Sequence, residues 1–228
     1  MSYSSFSEAV SLLQNAQLIQ HSESFELAKY CAGLLRDKTL EDNGRELIIR
    51  VLDAWDKIDT ATKPMWNDLI EASGLYPYVN DEFIKGAGLL RYELHRSPFL
   101  KDYFLHEEQH QISMNLLSEE SVVLSAPTSF GKSLLIQEIV ASGKYKNIVI
   151  VQPTLALLDE TRKKLRKYGD KYKIILSTSH EPSETDGNVF LFTGERVVEY
   201  KHFNTVDFFV IDEFYKLSPD RDDERAVI

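Results

Sequence analysis

The sequence has only one cysteine, Cys31, among its 228 residues. A single cysteine excludes an internal disulfide and any zinc site built from a cluster of cysteines. The residues around it, FELAKYCAGLL, have the spacing of a helix, which predicts a buried structural thiol. The sequence also lacks an apolar run long enough to cross a bilayer, and its start, MSYSSFSEAV, lacks the basic and apolar regions of a signal peptide. These absences predict a cytoplasmic protein with no membrane partner.

Positive charge is in short supply. Lysine and arginine number 26 against 36 aspartates and glutamates, so the formal net charge is −10 and the isoelectric point is about 5.1. This balance argues against a broadly basic surface, and a nucleic acid would have to bind a local groove. The hydrophobic fraction of 43% is ordinary for a soluble globular protein, and the length allows one large domain or two small ones.

Residues 1–96 have the hydrophobic spacing of helices, with apolar residues at intervals of three and four. The Asn-Gly pair at 43–44 and the Ser-Gly pair at 73–74 are typical helix ends. Thr-Lys-Pro at 62–64 is typical of a helix start, because proline suits the first turn. The pattern predicts an all-α domain over 1–96.

After residue 120, short β-branched runs alternate with helical segments. The apolar runs are SVVLSA, NIVIVQP, KIILSTS, NVFLFTG and DFFVIDE, and two amphipathic segments, KSLLIQEIVASGK and LALLDETRKKLRKYG, separate the first three. Strands that are apolar on both faces and alternate with helices form a parallel sheet covered by helices. We expect an α/β domain over 97–228, with ligand sites at the carboxyl ends of its strands.

A phosphate-binding loop follows the first apolar run. Its residues are Ala126, Pro127, Thr128, Ser129, Phe130, Gly131, Lys132 and Ser133. This is the order of a P-loop with alanine at the usual first glycine. Backbone N–H groups of such a loop and of the following helix surround the phosphates, and Gly131 allows their close approach. Lys132 is predicted to contact the β and γ oxygens, and the hydroxyl of Ser133 to ligate Mg²⁺.

An acidic pair, Asp212 and Glu213, ends the last apolar run. A P-loop requires an acidic partner at the end of another strand. Asp212 is predicted to hold Mg²⁺ through water, and Glu213 to orient or deprotonate the attacking water. The alternative is an acidic pair that only begins a helix. Its place after a buried strand and beside a P-loop favours the catalytic interpretation.

Four segments, SAPTSFGKS, VQPTLALLDE, FTGER and VIDEF, resemble motifs I, Ia, Ib/Ic and II of superfamily 2 helicases, in order and in rough spacing. They are most similar to the DExH-type group, and the resemblance covers residues from about 100 to 228. It implies a RecA-like P-loop NTPase domain, preceded by the all-α domain, that uses ATP and Mg²⁺. It also implies contacts with the backbone of one nucleic-acid strand, DNA or RNA. Carried over, these contacts fall on Pro153, Thr154, Thr193, Gly194, Glu195 and Arg196. Helicases of this type carry a glutamine upstream of the P-loop that reads adenine. The resemblance implies that Gln109 has this role here, with Gln111 a weaker candidate.

The sequence departs from the helicase pattern in two respects. Motif II reads Asp-Glu-Phe-Tyr, so Tyr215 stands where the family has the residue that couples nucleotide state to nucleic-acid contacts. The chain also stops at Ile228, before motif III and before the second RecA-like domain with its arginine finger. We therefore expect the amino-terminal part of a longer motor, whose second domain is a partner.

Three other interpretations remain open. HEEQH at 106–110 fits the zinc-protease helix motif, in which His106 and His110 would bind zinc and Glu107 would be the base. The chain would alternatively be a P-loop ATPase of another kind, which acts as a switch or scaffold and binds a protein partner through its helical domain. A likeness to helicases of bacterial antiphage defence also favours this scaffold role. Finally, the basic residues between 162 and 167 are either a solvated helix face or a flank of the nucleic-acid path.

Overall fold

The structure is a computed structural model that describes residues 3, 5–127, 130–203 and 205–214. The chain divides into two compact units. The first unit comprises Met1–Ser97 and Asp102–His110, and the second comprises Pro98–Lys101 and Gln111–Ile228. Among the described residues, no helix is both long and apolar enough to cross a membrane.

The first unit is helical. Its helices are α1 (Phe6–Asn15), α2 (His21–Arg36), α3 (Glu41–Asp53), α4 (Lys63–Ala72) and α5 (Ala87–Leu94), followed by the start of α6 (Glu107–Leu117). Single turns of 3₁₀ helix occur at Trp55–Lys57, Thr60–Thr62, Tyr76–Tyr78 and Asp81–Phe83. The all-α character expected of this region is confirmed.

The signals at the helix ends are partly confirmed. Proline lies in the first turn of α4, which begins at Lys63, and Gly74 follows this helix with a φ of 76°. The predicted helix end at Asn43-Gly44 is wrong, because Gly44 lies inside α3 and is buried. A β-carbon at Gly44 would come 2.7 Å from Cδ2 of Leu35 on α2. Glycine therefore serves here for the close approach of two helices and not as a helix end.

The core of the first unit surrounds Trp66, which is fully buried. Its indole Nε1 donates a hydrogen bond of 3.0 Å to the hydroxyl of Ser24, which also lies 2.7 Å from the hydroxyl of Thr62. Cys31 is buried in the same core, and its thiol lies 3.6 Å from the carbonyl oxygen of Gly44. Burial raises the pKa of Cys31 to about 12. The prediction of a buried structural thiol is confirmed.

In the described part of the second unit, four strands form a parallel sheet with the order β2-β3-β1-β4. The strands are β1 (Asn147–Val151), β2 (Tyr172–Ile175), β3 (Gly187–Phe192) and β4 (Phe208–Ile211), and the helices are α7 (Lys132–Ser142), α8 (Leu155–Leu165) and α9 (Gly194–Glu199). One apolar cluster packs α7 and α8 against the sheet, and another joins strand residues to Tyr200 and Phe203. The predicted α/β class with a parallel sheet is confirmed.

The first apolar run, SVVLSA, does not form the predicted strand. Residues 121–127 are described without regular structure, and Val123 is 87% exposed. Within the described part of the chain, β4 pairs only with β1, so it is an edge strand, and Phe209 on it is 67% exposed. A strand requires a hydrogen-bonded neighbour as well as an apolar sequence, and this segment has no such neighbour among the described residues.

Candidate nucleotide site and strand-end loops

The last residues of the predicted P-loop, Gly131 to Ser133, lie at the start of α7. Gly131 is the residue before this helix and has a left-handed backbone, with φ 84° and ψ 29°. Having no side chain, it leaves the first N–H groups of α7 without a side-chain cap. The ammonium group of Lys132 donates to the carbonyl oxygens of Ala126, at 3.0 Å, and Pro127, at 2.9 Å. A left-handed glycine, uncapped N–H groups and an ammonium group fit the phosphates of a nucleotide.

The rest of the predicted loop is described in part. The backbone N–H of Phe130 donates to the carbonyl oxygen of Pro127 at 3.1 Å. Thr128 and Ser129 lie outside the described residues.

Ser133, the predicted magnesium ligand, is exposed at the start of α7. Its hydroxyl oxygen accepts a hydrogen bond of 3.3 Å from the ammonium group of Lys164 on α8, and Lys164 also forms an ion pair of 2.5 Å with Glu160. No feature of the sequence predicts this contact, since Lys164 is one of several basic residues in the same segment.

The predicted acidic pair follows β4. The backbone N–H of Asp212 donates to the carbonyl oxygen of Val151 at 2.9 Å, which extends the β1–β4 pairing by one residue. Glu213 has a φ of 52°, in the left-handed region that non-glycine residues rarely adopt. Backbone strain of this kind is common at functional sites. Phe214 is 57% exposed, and Tyr215 lies outside the described residues.

Gln152 is a polar residue of this site that the sequence predictions missed. It follows β1 and is only 3% exposed. Its amide nitrogen donates to Oδ2 of Asp212 at 3.2 Å, and its amide oxygen accepts from the hydroxyl of Thr161 at 2.8 Å. The only available signal was a glutamine at the end of an otherwise apolar strand.

Helix α8 connects the P-loop with the acidic pair. Thr161 and Lys164 are three residues apart and therefore lie on one face of this helix. Thr161 contacts the glutamine that binds Asp212, and Lys164 contacts Ser133. Ser133, one predicted magnesium ligand, thus contacts this face of α8 directly, and Asp212, the other, is connected to it through Gln152. A carboxylate and a hydroxyl are oxygen donors of the type that Mg²⁺ prefers.

The predicted nucleic-acid contacts occupy the ends of β1 and β3. These strands are adjacent, with Val151 paired to Phe192, so Pro153-Thr154 and Thr193-Gly194 lie in neighbouring loops at one edge of the sheet. Thr154 caps α8, and its hydroxyl accepts from the N–H of Leu157 at 3.3 Å. The backbone of Gly194 is buried at the start of α9, and Glu195 is exposed on that helix.

Arg196 lies on α9, and its guanidinium donates to the carbonyl oxygen of Leu176 at 3.0 Å. A surface cavity of about 200 Å³ opens beside it, lined by Leu155, Leu158, Asp159, Arg162, Leu176 and Arg196. Its lining combines three leucines with an arginine from each of two helices, one of which, Arg162, pairs with Asp159. Arginine at such a place suits contacts with phosphate or with the face of a base.

Three of the basic residues after motif Ia, Arg162, Lys163 and Lys164, form ion pairs within α8, and all but Lys164 are exposed. Asp159 binds Lys163 at 2.8 Å and Arg162 at 2.7 Å, and these contacts, first that with Lys163, lower the pKa of its carboxyl group. This arrangement favours the interpretation as a solvated helix face.

The HEEQH segment belongs to the first unit. Oε2 of Glu107 lies 2.7 Å from Nε2 of His95, and burial lowers the pKa of both His106 and His110. In the part of the chain that the structure describes, no three or more His, Cys, Asp or Glu side chains come together to hold a metal. The zinc-protease interpretation therefore receives no support from the geometry.

Gln109 is 3% exposed, and its side-chain oxygen accepts from the backbone N–H of His106 at 3.0 Å. This contact is one half of a capping box at the start of α6. The amide of Gln111 donates to Asn115 at 3.0 Å on the exposed side of the helix. The adenine contact of Gln109 stays a prediction.

Comparison with known proteins identifies the family. Residues 106–227, more than half of the chain, match the model of the DEAD/DEAH box helicase family. The chain belongs to this family. The resemblance to superfamily 2 helicases and the RecA-like fold are thereby confirmed. Residues 1–89 match a second model, the anti-bacteriophage protein B N-terminal domain.

Anti-bacteriophage protein B of Escherichia coli (strain K12) is a relative of this helicase-family chain. It is 40% identical over 205 residues, which cover 85% of the chain and 28% of the relative. The chain thus spans less than a third of the length of this relative. No solved structure gives a significant match.

Proposed function

We propose that this chain is the ATP-binding part of a nucleic-acid helicase or translocase. The observation that carries the proposal is the hydrogen-bonded path from Asp212 through Gln152 to Thr161 on α8, the helix whose Lys164 contacts Ser133. The path connects an acidic strand end to α8, and Lys164 connects the same helix to the hydroxyl of Ser133, which supports a shared nucleotide site.

In this proposal Lys132, Asp212 and Glu213 are the catalytic residues. Lys132 exchanges its contacts with the loop carbonyls for oxygens of the β and γ phosphates, and the N–H groups at the start of α7 bind the same phosphates. Ser133 and Asp212 would hold Mg²⁺, which neutralises charge on the phosphates when it is bound. Glu213 orients or deprotonates the attacking water.

The loops at the ends of β1 and β3 bind the sugar-phosphate backbone of one strand. Hydroxyl groups, backbone N–H groups and one arginine position a strand without reading its bases. We therefore expect binding that depends strongly on salt and little on sequence.

A second candidate is a P-loop ATPase that acts as a switch or scaffold in an antiphage complex. The match of residues 1–89 to the N-terminal domain of an anti-bacteriophage protein favours it. Under this alternative the helical unit binds a protein partner, and the nucleotide site controls that binding.

Binding of single-stranded DNA, RNA and duplex over a range of salt concentrations tests the proposal. Arg196→Ala should weaken binding uniformly across sequences and reduce the salt dependence by about 0.7 in the slope of log K against log salt, the value for one phosphate contact on a single strand. Arg50→Ala is the matched control, because Arg50 lies on α3 and pairs with Glu46. A strong preference for one short sequence that persists at high salt would contradict the proposal. Absence of binding to any nucleic acid would favour the scaffold.

A further inference from the structure

Gln152 lies where three functional loops meet. Its backbone N–H donates to the carbonyl oxygen of Phe192 at 3.0 Å, immediately before the loop at Thr193. Its side chain contacts Asp212, and the next two residues are Pro153 and Thr154. The end of β1 is thus joined to both neighbouring strand ends through one residue.

The chemistry of its neighbours fixes the orientation of this amide. Asp212 offers a carboxylate, which only accepts hydrogen bonds, so the NH₂ group of Gln152 must face it. The hydroxyl of Thr161 donates to the amide oxygen on the other side. Gln152 is 3% exposed and Thr161 is 7% exposed, so water competes little for either bond. Buried and satisfied networks of this kind hold their members in one geometry.

Helix α8 gives the network its connection to the nucleic-acid loop. Thr154 caps the helix, and Thr161 lies seven residues later, which is about two turns. A helix of this length moves as a rigid element. A bound nucleic-acid strand that shifts Thr154 therefore shifts Thr161 as well. The side-chain amide of Gln152, which contacts both Thr161 and Asp212, shifts with it.

We propose that Gln152 is a positioning residue that transmits nucleic-acid occupancy at Pro153-Thr154 to the carboxylate of Asp212. It acts through Asp212 and needs no contact with nucleotide or strand. This inference rests on the proposed function, and it adds to it the residue through which the two ligands influence each other.

The test is thermodynamic linkage in the full-length protein. The affinity for a fluorescent ATP analogue in the presence of Mg²⁺ is measured with and without a saturating oligonucleotide. The oligonucleotide is oligo(dT) or oligo(U), whichever the wild type binds more tightly. The ratio of the two affinities is the quantity compared between variants. Coupled sites typically change each other's affinity by about 5–150-fold, and the reciprocal measurement must give the same factor. Because the quantity is a ratio of affinities in one variant, a uniform loss of binding does not alter it.

Gln152→Met keeps an unbranched side chain and removes both hydrogen bonds, and Thr161→Val keeps the shape and removes the hydroxyl. We expect the ratio to fall toward unity in both variants. Thr161→Ser, which retains the hydroxyl, should keep the wild-type ratio. Thermal unfolding confirms that each variant is folded, and the Thr161 pair carries the test if Gln152→Met does not fold.

Four results would overturn the inference. If Gln152→Met and Thr161→Val keep the wild-type ratio, the network only supports packing. The same conclusion follows if the ratio of Thr161→Ser falls toward unity as far as that of Thr161→Val. A wild type that binds both ligands without linkage would remove the coupling but leave the proposed function standing. A wild type that binds neither ligand would remove the proposed function and this inference together.

Discussion

Replacing Lys132 by alanine removes the ammonium group that lies within hydrogen-bonding distance of Ala126 and Pro127. A charge-assisted hydrogen bond to phosphate contributes about 1.5–3 kcal/mol. Lys132 gives up its two contacts with the loop carbonyls, but it is predicted to gain oxygens of two phosphates in their place, so the magnitude of one charge-assisted bond is taken for the net effect. We therefore expect Lys132→Ala to weaken Mg–ATP binding by roughly ten- to a hundredfold, with about 1.4 kcal/mol for each factor of ten.

The assay is a titration of the chain with a fluorescent ATP analogue in the presence of Mg²⁺. Lys173→Ala is the matched control, since Lys173 is exposed on β2, at the opposite edge of the sheet from β4. Thermal unfolding separates a loss of affinity from a loss of fold. Unchanged ATP affinity in folded Lys132→Ala would refute the P-loop assignment.

Three further predictions concern the first unit. Gln109→Ala should narrow the preference for ATP over GTP in competition binding, because an amide both donates to N7 and accepts from N6 of adenine; an unaltered preference would remove Gln109 from the site. Burial lowers the pKa of His106 and His110 below the ordinary value of 6.5, so the unfolded chain binds more protons and the free energy of unfolding falls as the pH falls through and below 6.5. The loss is at most about 1.4 kcal/mol per pH unit for each histidine. Urea unfolding, followed by tryptophan fluorescence at several pH values, should show this loss in the wild type and in the control His180→Gln, whose site is exposed. The loss should be smaller in the double variant His106→Gln/His110→Gln. Cys31, with its pKa raised to about 12, should react with thiol reagents only after unfolding, and rapid reaction of the folded chain would contradict its burial.

The sequence was sufficient to predict most of the elements. Continuous apolar runs with β-branched residues predicted β1 to β4, and the Pro64 signal predicted the start of α4, because these features depend on local spacing. Gly44 misled the prediction, since its close approach to Leu35 depends on a second helix. SVVLSA misled it because strand formation depends on a neighbour as well as on composition.

The site was predictable where its residues stand in one short motif. Lys132 and Ser133 are predicted by the P-loop pattern, and Asp212 by its place after an apolar run, although that run forms the edge strand β4, on which Phe209 is exposed. The contact between Gln152 and Asp212 joins residues 60 positions apart, and no local pattern indicates which buried amide meets which carboxylate. The same holds for Lys164, whose contact with Ser133 spans 31 positions.

ATP turnover by this chain, beside turnover by the full-length protein, tests the proposed two-domain motor most directly. We propose that a second RecA-like domain supplies the cation that stabilises charge on the γ-phosphoryl group, a contribution worth about 10³–10⁵ in rate in related P-loop enzymes. The chain alone should therefore bind Mg–ATP and hydrolyse it at a small fraction of the full-length rate, with or without single-stranded nucleic acid. Stimulated turnover by the chain alone at a rate comparable to that of the full-length protein would contradict this proposal.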